Sequence, residues 1–141
     1  MPVFETAGEL QMCFGHLYDA VKQDSFIATA IRESGLTIVF RYYDPDAVLT
    51  IYPSDISSAP FAIGWGSEPL RKPDIEMSMK ADIAHQFWHG KINLMAALTR
   101  RQIVAKGPIP KILKLLPSVA PIYALYPHIL HDLGRDDLIL P

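Results

Sequence analysis

The sequence has a single cysteine, Cys13, in 141 residues. That excludes an intramolecular disulfide and any metal site built from clustered thiolates, and it fits a reducing compartment. Negative charge is missing from a long stretch. From Ile83 to His131 there is no aspartate or glutamate, while Lys91, Arg100, Arg101, Lys106, Lys111 and Lys114 all fall inside it. Over the whole chain 13 basic and 15 acidic residues nearly cancel, so no global charge draws the protein to nucleic acid. A bilayer-spanning run is also lacking. The longest uncharged stretch, Leu115 to His131, is short and is interrupted by Pro117, Pro121 and Pro127. The first ten residues, MPVFETAGEL, carry early acids and no long apolar segment, unlike a secretory signal. Leu138 to Pro141 carries no peroxisomal address. A cytoplasmic protein is therefore expected. Glycine-rich phosphate loops and nucleophile elbows are absent, and Phe61-Ala-Ile-Gly64-Trp-Gly66 lacks the spacing of a dinucleotide-binding turn. No catalytic role, cofactor or metal is expected.

Apolar residues, by contrast, make up 50% of the chain, at the upper end for a soluble domain. Without a membrane span, that content implies a large core, a buried partner face or a lined cavity. The length suits one domain over residues 1–141.

Local patterns predict the elements in order. Thr6-Ala-Gly-Glu9 reads as a capping box, followed by Leu10, Phe14, Leu17 and Val21 on one helical face. Asp24 or Ser25 caps a second helix, with Phe26, Ile27, Ala30 and Ile31 inward and Gly35 at its end. Leu36, Ile38, Phe40 and Tyr42 then alternate with more polar neighbours as a strand. Asp44-Pro45-Asp46 is a turn, and Ala47 to Tyr52 completes a hairpin. After a loop over 53–60, Phe61, Ile63 and Trp65 alternate with Ala62, Gly64 and Gly66 in a third strand. The nearly bare glycine face suits either a cavity or a close helix approach. Ile75, Met77 and Met79 alternate inward in a fourth strand. Asp82 opens a helix that Gly90 ends, Asn93 opens another, and Gln102 to Lys106 forms a fifth strand. Ile109 to Leu116 is amphipathic. Ser118 caps a last helix with Val119, Ile122, Leu125 and Ile129 on one stripe, which Pro127 should kink. The order ααββββααβαα, with strands clustered centrally, predicts an α+β fold with an antiparallel-rich sheet.

Gly90-Lys91-Ile92-Asn93, the short helix after it, the strand ending in Lys106-Gly107 and the apolar-basic stretch Pro108 to Leu116 resemble the sterol carrier protein type 2 family of lipid-binding domains. Arg100-Arg101-Gln102 departs from that pattern, where the family often has Gly-Lys-Leu. The resemblance implies a five-stranded, mostly antiparallel sheet covered by helices. It also implies an apolar tunnel between sheet and helices that takes a fatty acyl chain, sterol or isoprenoid for transfer or presentation, with no catalytic residues. Family members also serve as accessory proteins in polyprenyl-quinone synthesis. The alternative is thus a non-catalytic interaction module that dimerises or assists an enzyme.

Candidate cavity-lining residues are Phe40, Ile63, Trp65, Met77, Met79, Phe87, Met95, Leu98, Ile103, Ile112, Leu116, Ile122, Leu125 and Ile129. A lipid site needs a concave apolar volume with few polar groups, and methionine adapts to ligands of varied shape. The same residues also suit a filled core, which sequence does not separate from a hollow one. Lys91, Arg100, Arg101, Lys106, Lys111 and Lys114 are candidates for a rim that meets anionic headgroups or a membrane surface; a solvated face is the plainer reading. His85 and His89 share helical spacing with Asp82. Gln86 stands where a zinc protease needs glutamate, so the pair is expected on a polar outer face, opposite Ile83, Ala84 and Phe87. Cys13, among Leu10, Phe14 and Leu17, is expected to be a small buried side chain.

Overall fold

A computed structural model describes residues 2–54 and 59–141. Two helices come first, α1 (Ala7–Gln23) and α2 (Ser25–Ser34). Four strands follow: β1 (Ile38–Tyr43), β2 (Ala47–Pro53), β3 (Phe61–Gly66) and β4 (Ile75–Lys80). Then come α3 (Ala81–Trp88), α4 (Leu94–Thr99), β5 (Ile103–Lys106), α5 (Ile109–Val119), α6 (Ile122–Asp132) and a 3₁₀ turn over Asp136–Leu138. The order is the expected ααββββααβαα, and the fold is α+β. Part of the loop expected over 53–60 lies outside the described residues.

The sheet runs β3-β2-β1-β4-β5. Three of its ladders are antiparallel, and β1 pairs parallel with β4. Register aligns apolar side chains in rows across one face. Ile51, Ile38 and Ile75 form one row, Phe40 and Met77 the next, and Tyr42, Met79 and Ile103 a third. Because strand side chains alternate, the residues between these rows face the other way. Arg41 ion-pairs there with Glu76, and the buried Thr50 hydroxyl accepts the Leu70 amide at 3.0 Å. The apolar rows form a floor that the helices cover.

The helix starts follow their local chemistry. Thr6 accepts the Glu9 amide at 3.1 Å, Asp24 that of Ile27 at 3.0 Å, and Asn93 that of Ala96 at 2.9 Å. The Glu9 carboxylate reaches Arg135 at 2.9 Å, tying α1 to the chain after α6. Gly35 ends α2 at φ 65°, a left-handed turn that glycine adopts without a Cβ clash.

Several expectations change in three dimensions. Phe26 is 63% exposed, and α2 instead buries Ile27, Ala28 and Ile31. In α3 the buried face is Ala81, Ala84, His85 and Trp88, so His85 is interior and not on a polar outer face. Asp82 does not cap α3. It lies in the first turn and accepts the Val3 amide at 2.8 Å, pinning the N-terminal segment. Ser118 caps nothing, because α5 runs through Pro117 to Val119 and the chain breaks at Ala120–Pro121. Pro127 does not end α6, which continues to Asp132. The proline forfeits the bond to the Tyr123 carbonyl, but Tyr126 and Leu130 beside it are fully buried, and such packing outweighs one lost bond. Restarting at Ile122 also rotates the stripe, so α6 buries Ile122, Tyr126 and Leu130 and leaves Leu125 and Ile129 half-buried.

Candidate functional site

Between the floor of the sheet and the helices lies a cavity of about 80 Å³. Its floor is Ile51, Ile38, Phe40, Tyr42, Ile75, Met77, Met79 and Ile103. Its roof is Tyr18 from α1, Ile31 from α2 with Leu36 after it, Ala84, Phe87 and Trp88 from α3, Leu94 from α4, Ile112, Leu115, Leu116 and Val119 from α5, and Ile122 from α6. No charged side chain is among these residues. Apart from the Tyr18 and Tyr42 hydroxyls the lining is apolar, and such a surface offers entering water few partners.

A second concavity of about 440 Å³ opens between α2 and α5. It is lined by Ala30, Glu33, Ser34, Leu36, Lys111, Lys114, Leu115 and Ser118. Leu36 and Leu115 line both spaces, so the outer cleft and the inner cavity meet at these two side chains. Amphipathic α5 accounts for both surfaces: it turns Ile112, Leu115 and Leu116 to the interior, and Lys111 and Lys114 to the cleft.

The structure places Phe40, Met77, Met79, Phe87, Ile103, Ile112, Leu116 and Ile122 around the cavity. Ile63, Trp65, Met95, Leu98, Leu125 and Ile129 lie elsewhere. Met95 is 52% exposed. Trp65 packs towards α1, where a methyl on Gly15 would lie 3.9 Å from its indole nitrogen. The bare face of Gly64 is covered by the Leu70 side chain from the following loop, which is a close approach by a loop, neither a cavity nor a helix. Of the basic residues, Lys111 and Lys114 reach the cleft. Lys91, Arg100, Arg101 and Lys106 are exposed on other parts of the surface. Twelve lining residues were missing from the expected set, among them Tyr18, Tyr42, Trp88, Leu36 and Leu115. The signal for Tyr18 was its place four residues after Phe14 on the inward face of α1, and for Tyr42 its place in the inward alternation of β1.

The polar groups near the cavity are few. His85 is 1% exposed. Its Nε2 lies 2.8 Å from the Leu138 carbonyl oxygen and its Nδ1 lies 2.8 Å from the Tyr126 hydroxyl. The carbonyl can only accept, so Nε2 carries the proton and Nδ1 accepts from Tyr126. Burial, with His89 beside it, lowers the His85 pKa to about 4, so the ring is neutral at pH 7. His89 Nδ1 donates to the His85 carbonyl at 2.8 Å, and its Nε2 accepts the Leu140 amide at 3.3 Å. The two histidines thus clamp the C-terminal segment. Among the described residues no group of histidine, cysteine, aspartate and glutamate side chains is arranged to hold a metal ion. Burial pushes the Cys13 thiol up to about 11, which keeps it protonated and unreactive. No helix among the described residues is long and apolar enough to cross a membrane.

No family model matches the sequence, and no curated protein matches it. Solved structures do match. Sterol Carrier Protein 2 from Yarrowia lipolytica, in its apo form, superposes with a TM-score of 0.50 at 19% identity, over 86% of each chain. The inverting sec-alkylsulfatase Pisa1 from Pseudomonas sp. matches at TM-score 0.52 and 12% identity, over 62% of this chain. Its S233Y F250G double mutant matches at 0.50 and 13%, over 58% of this chain. The chain spans only 13% and 12% of those two sulfatase chains. With that superposition over most of both chains, the five-stranded mixed sheet and the helical cover, the chain has the fold of sterol carrier protein 2.

Proposed function

We propose that this protein is a lipid-binding carrier that buries a single apolar chain between sheet and helices, for transfer or presentation. The observation that carries this reading is the uncharged cavity between the two layers, joined at Leu36 and Leu115 to an open cleft. The likeness to Sterol Carrier Protein 2 supports it. The ligand is a fatty acyl, sterol or isoprenoid group. Each buried methylene contributes about 0.8 kcal/mol, so a long chain binds without much polar recognition. Ligand pockets usually measure roughly 300–1,000 Å³, well above the cavity's 80 Å³. A long chain therefore requires α5 to move away from α2, merging cavity and cleft. The polar end then faces Lys111 and Lys114, whose ammonium groups favour an anionic headgroup. No catalytic role is assigned.

The small cavity also favours a second reading, in which it is slack in a core and the protein is a non-catalytic accessory or dimerising module. Organic extraction of the purified protein with mass spectrometry, and titration with a fluorescent fatty acid, separate the two. Lipid in the extract and saturable fatty-acid binding are expected. Empty extracts with no fatty-acid binding sink the carrier reading, and a solution mass of twice the monomer would then favour the module.

A further inference from the structure

The cavity holds two tyrosines whose hydroxyls find no well-formed hydrogen bond among the described residues. Tyr18 from α1 and Tyr42 from β1 both line it. Each is at least 96% buried, and neither hydroxyl finds a hydrogen-bond partner among the described residues. Each hydroxyl perturbs the other's ionisation as a hydrogen-bond partner would, but the contact falls outside hydrogen-bond geometry, and a single contact between two phenols uses only one of their two donors in any case. Buried phenols normally find a partner, and an orphaned buried donor is costly. The fold can satisfy such a group: Tyr126, also buried, is held by His85 Nδ1 at 2.8 Å. Tyr18 and Tyr42 are the exceptions, and both sit on the cavity wall.

We infer that Tyr18 and Tyr42 form a polar subsite inside the cavity that recognises a neutral oxygen, a hydroxyl or a carbonyl, on the buried part of the ligand. This rests on the carrier reading above. The chemistry selects the oxygen's type. Burial holds both phenols protonated, so each offers an O–H donor. A ligand carbonyl accepts from both, and a ligand hydroxyl accepts from one and donates to the other. No cationic side chain is among the described residues that line the cavity, so a carboxylate or phosphate buried there would lack a counter-charge and its desolvation would go uncompensated. A plain hydrocarbon fills the space but leaves both donors unpaired. The subsite thus favours oxygenated lipids over hydrocarbon chains of the same shape, and it leaves any anionic group to the cleft at Lys111 and Lys114.

The test compares cyclohexanol, cyclohexanone and methylcyclohexane, which have similar shape, by calorimetric titration of wild type, Tyr18→Phe, Tyr42→Phe and the double variant. Phenylalanine keeps the ring and removes the donor, and thermal melts verify that each variant is folded. The double variant is expected to bind the alcohol and the ketone about tenfold more weakly than wild type does. Methylcyclohexane binding should be unchanged or tighter. Equal losses for all three probes, no loss for the oxygenated pair, or no binding of any probe to wild type overturns the subsite. A fluorescent fatty acid titrated into the same proteins keeps the two readings apart. If it binds while the oxygen preference is absent, the subsite alone fails; if it does not bind, the carrier reading fails with it.

Discussion

Tyr126 donates its hydroxyl proton to Nδ1 of His85 across 2.8 Å, and with the bond from Nε2 to the Leu138 carbonyl it leaves the buried imidazole no room for a second proton without rearrangement. The main cause of the lowered pKa is burial. The neighbouring His89 adds to it, and the Leu138 bond and Asp82 oppose it. Unfolded, the same ring titrates near the ordinary histidine value of 6.5; folded, it does so near 4. Between those values the unfolded state binds more protons, so stability is full above about pH 6.5 and falls as the pH drops towards 4. The difference amounts to about 3 kcal/mol, and His89, also lowered by burial, acts in the same direction. Urea unfolding from pH 7.5 to 4.5 should show this slope, and His85→Gln should flatten it. Parallel profiles for the two proteins would rule the account out.

Replacing Tyr18 or Tyr42 by phenylalanine should stabilise the empty protein. Each change removes an orphaned donor and keeps the ring packed, which is worth about 1 kcal/mol, or about 3 °C in Tm for a chain of this size. Differential scanning calorimetry decides it. A lower Tm in both variants would mean that the hydroxyls have partners after all.

Leu36 and Leu115 stand where cleft and cavity meet, so they should control how fast a ligand enters and leaves. Leu115→Trp is expected to slow release of a fluorescent fatty acid several-fold, and Leu115→Ala to speed it. Stopped-flow displacement measures both. Unchanged rates in the pair would put the entrance elsewhere.

Gly107, at φ 113°, carries the chain past β4 so closely that a methyl group would strike the Asp74 carbonyl oxygen and lie 3.2 Å from Ile75 Cα. Both obstacles are backbone and cannot swing aside. Gly107→Ala should therefore cost on the order of 3 kcal/mol. Gly35→Ala makes a control. It has a left-handed φ of 65° but open space around it, so only the backbone term of about 1 kcal/mol applies. Equal urea midpoints for the two variants would remove the steric argument.

Reversing the charge of Lys111 and Lys114 together should weaken decanoate binding several-fold and leave decanol unaffected, because exposed charges contribute modestly. Equal effects on both ligands would show that the lysines act through packing and not through charge.

The sequence alone determined the elements and most of their ends. Alternation at Ile75, Met77 and Met79 predicted the face of β4 that is buried, and Thr6, Asp24 and Asn93 cap the helices they were expected to cap. These features are legible because they rest on neighbours a few residues apart. The resemblance that begins at Gly90 pointed to the right fold for the same reason: its turn, strand end and amphipathic helix are local patterns. Tertiary structure alone decided the rest. His85 looked like half of a polar pair, but its partners lie 41 and 53 residues away. The rotation of α6 was set by the break at Ala120–Pro121, and the hollow between the layers by how six helices settle on the sheet. A cavity is the space left over when distant surfaces fail to fill one another. Tyr18 and Tyr42 acquire their meaning only there, because an unpaired hydroxyl is defined by what distant segments among the described residues fail to bring to it.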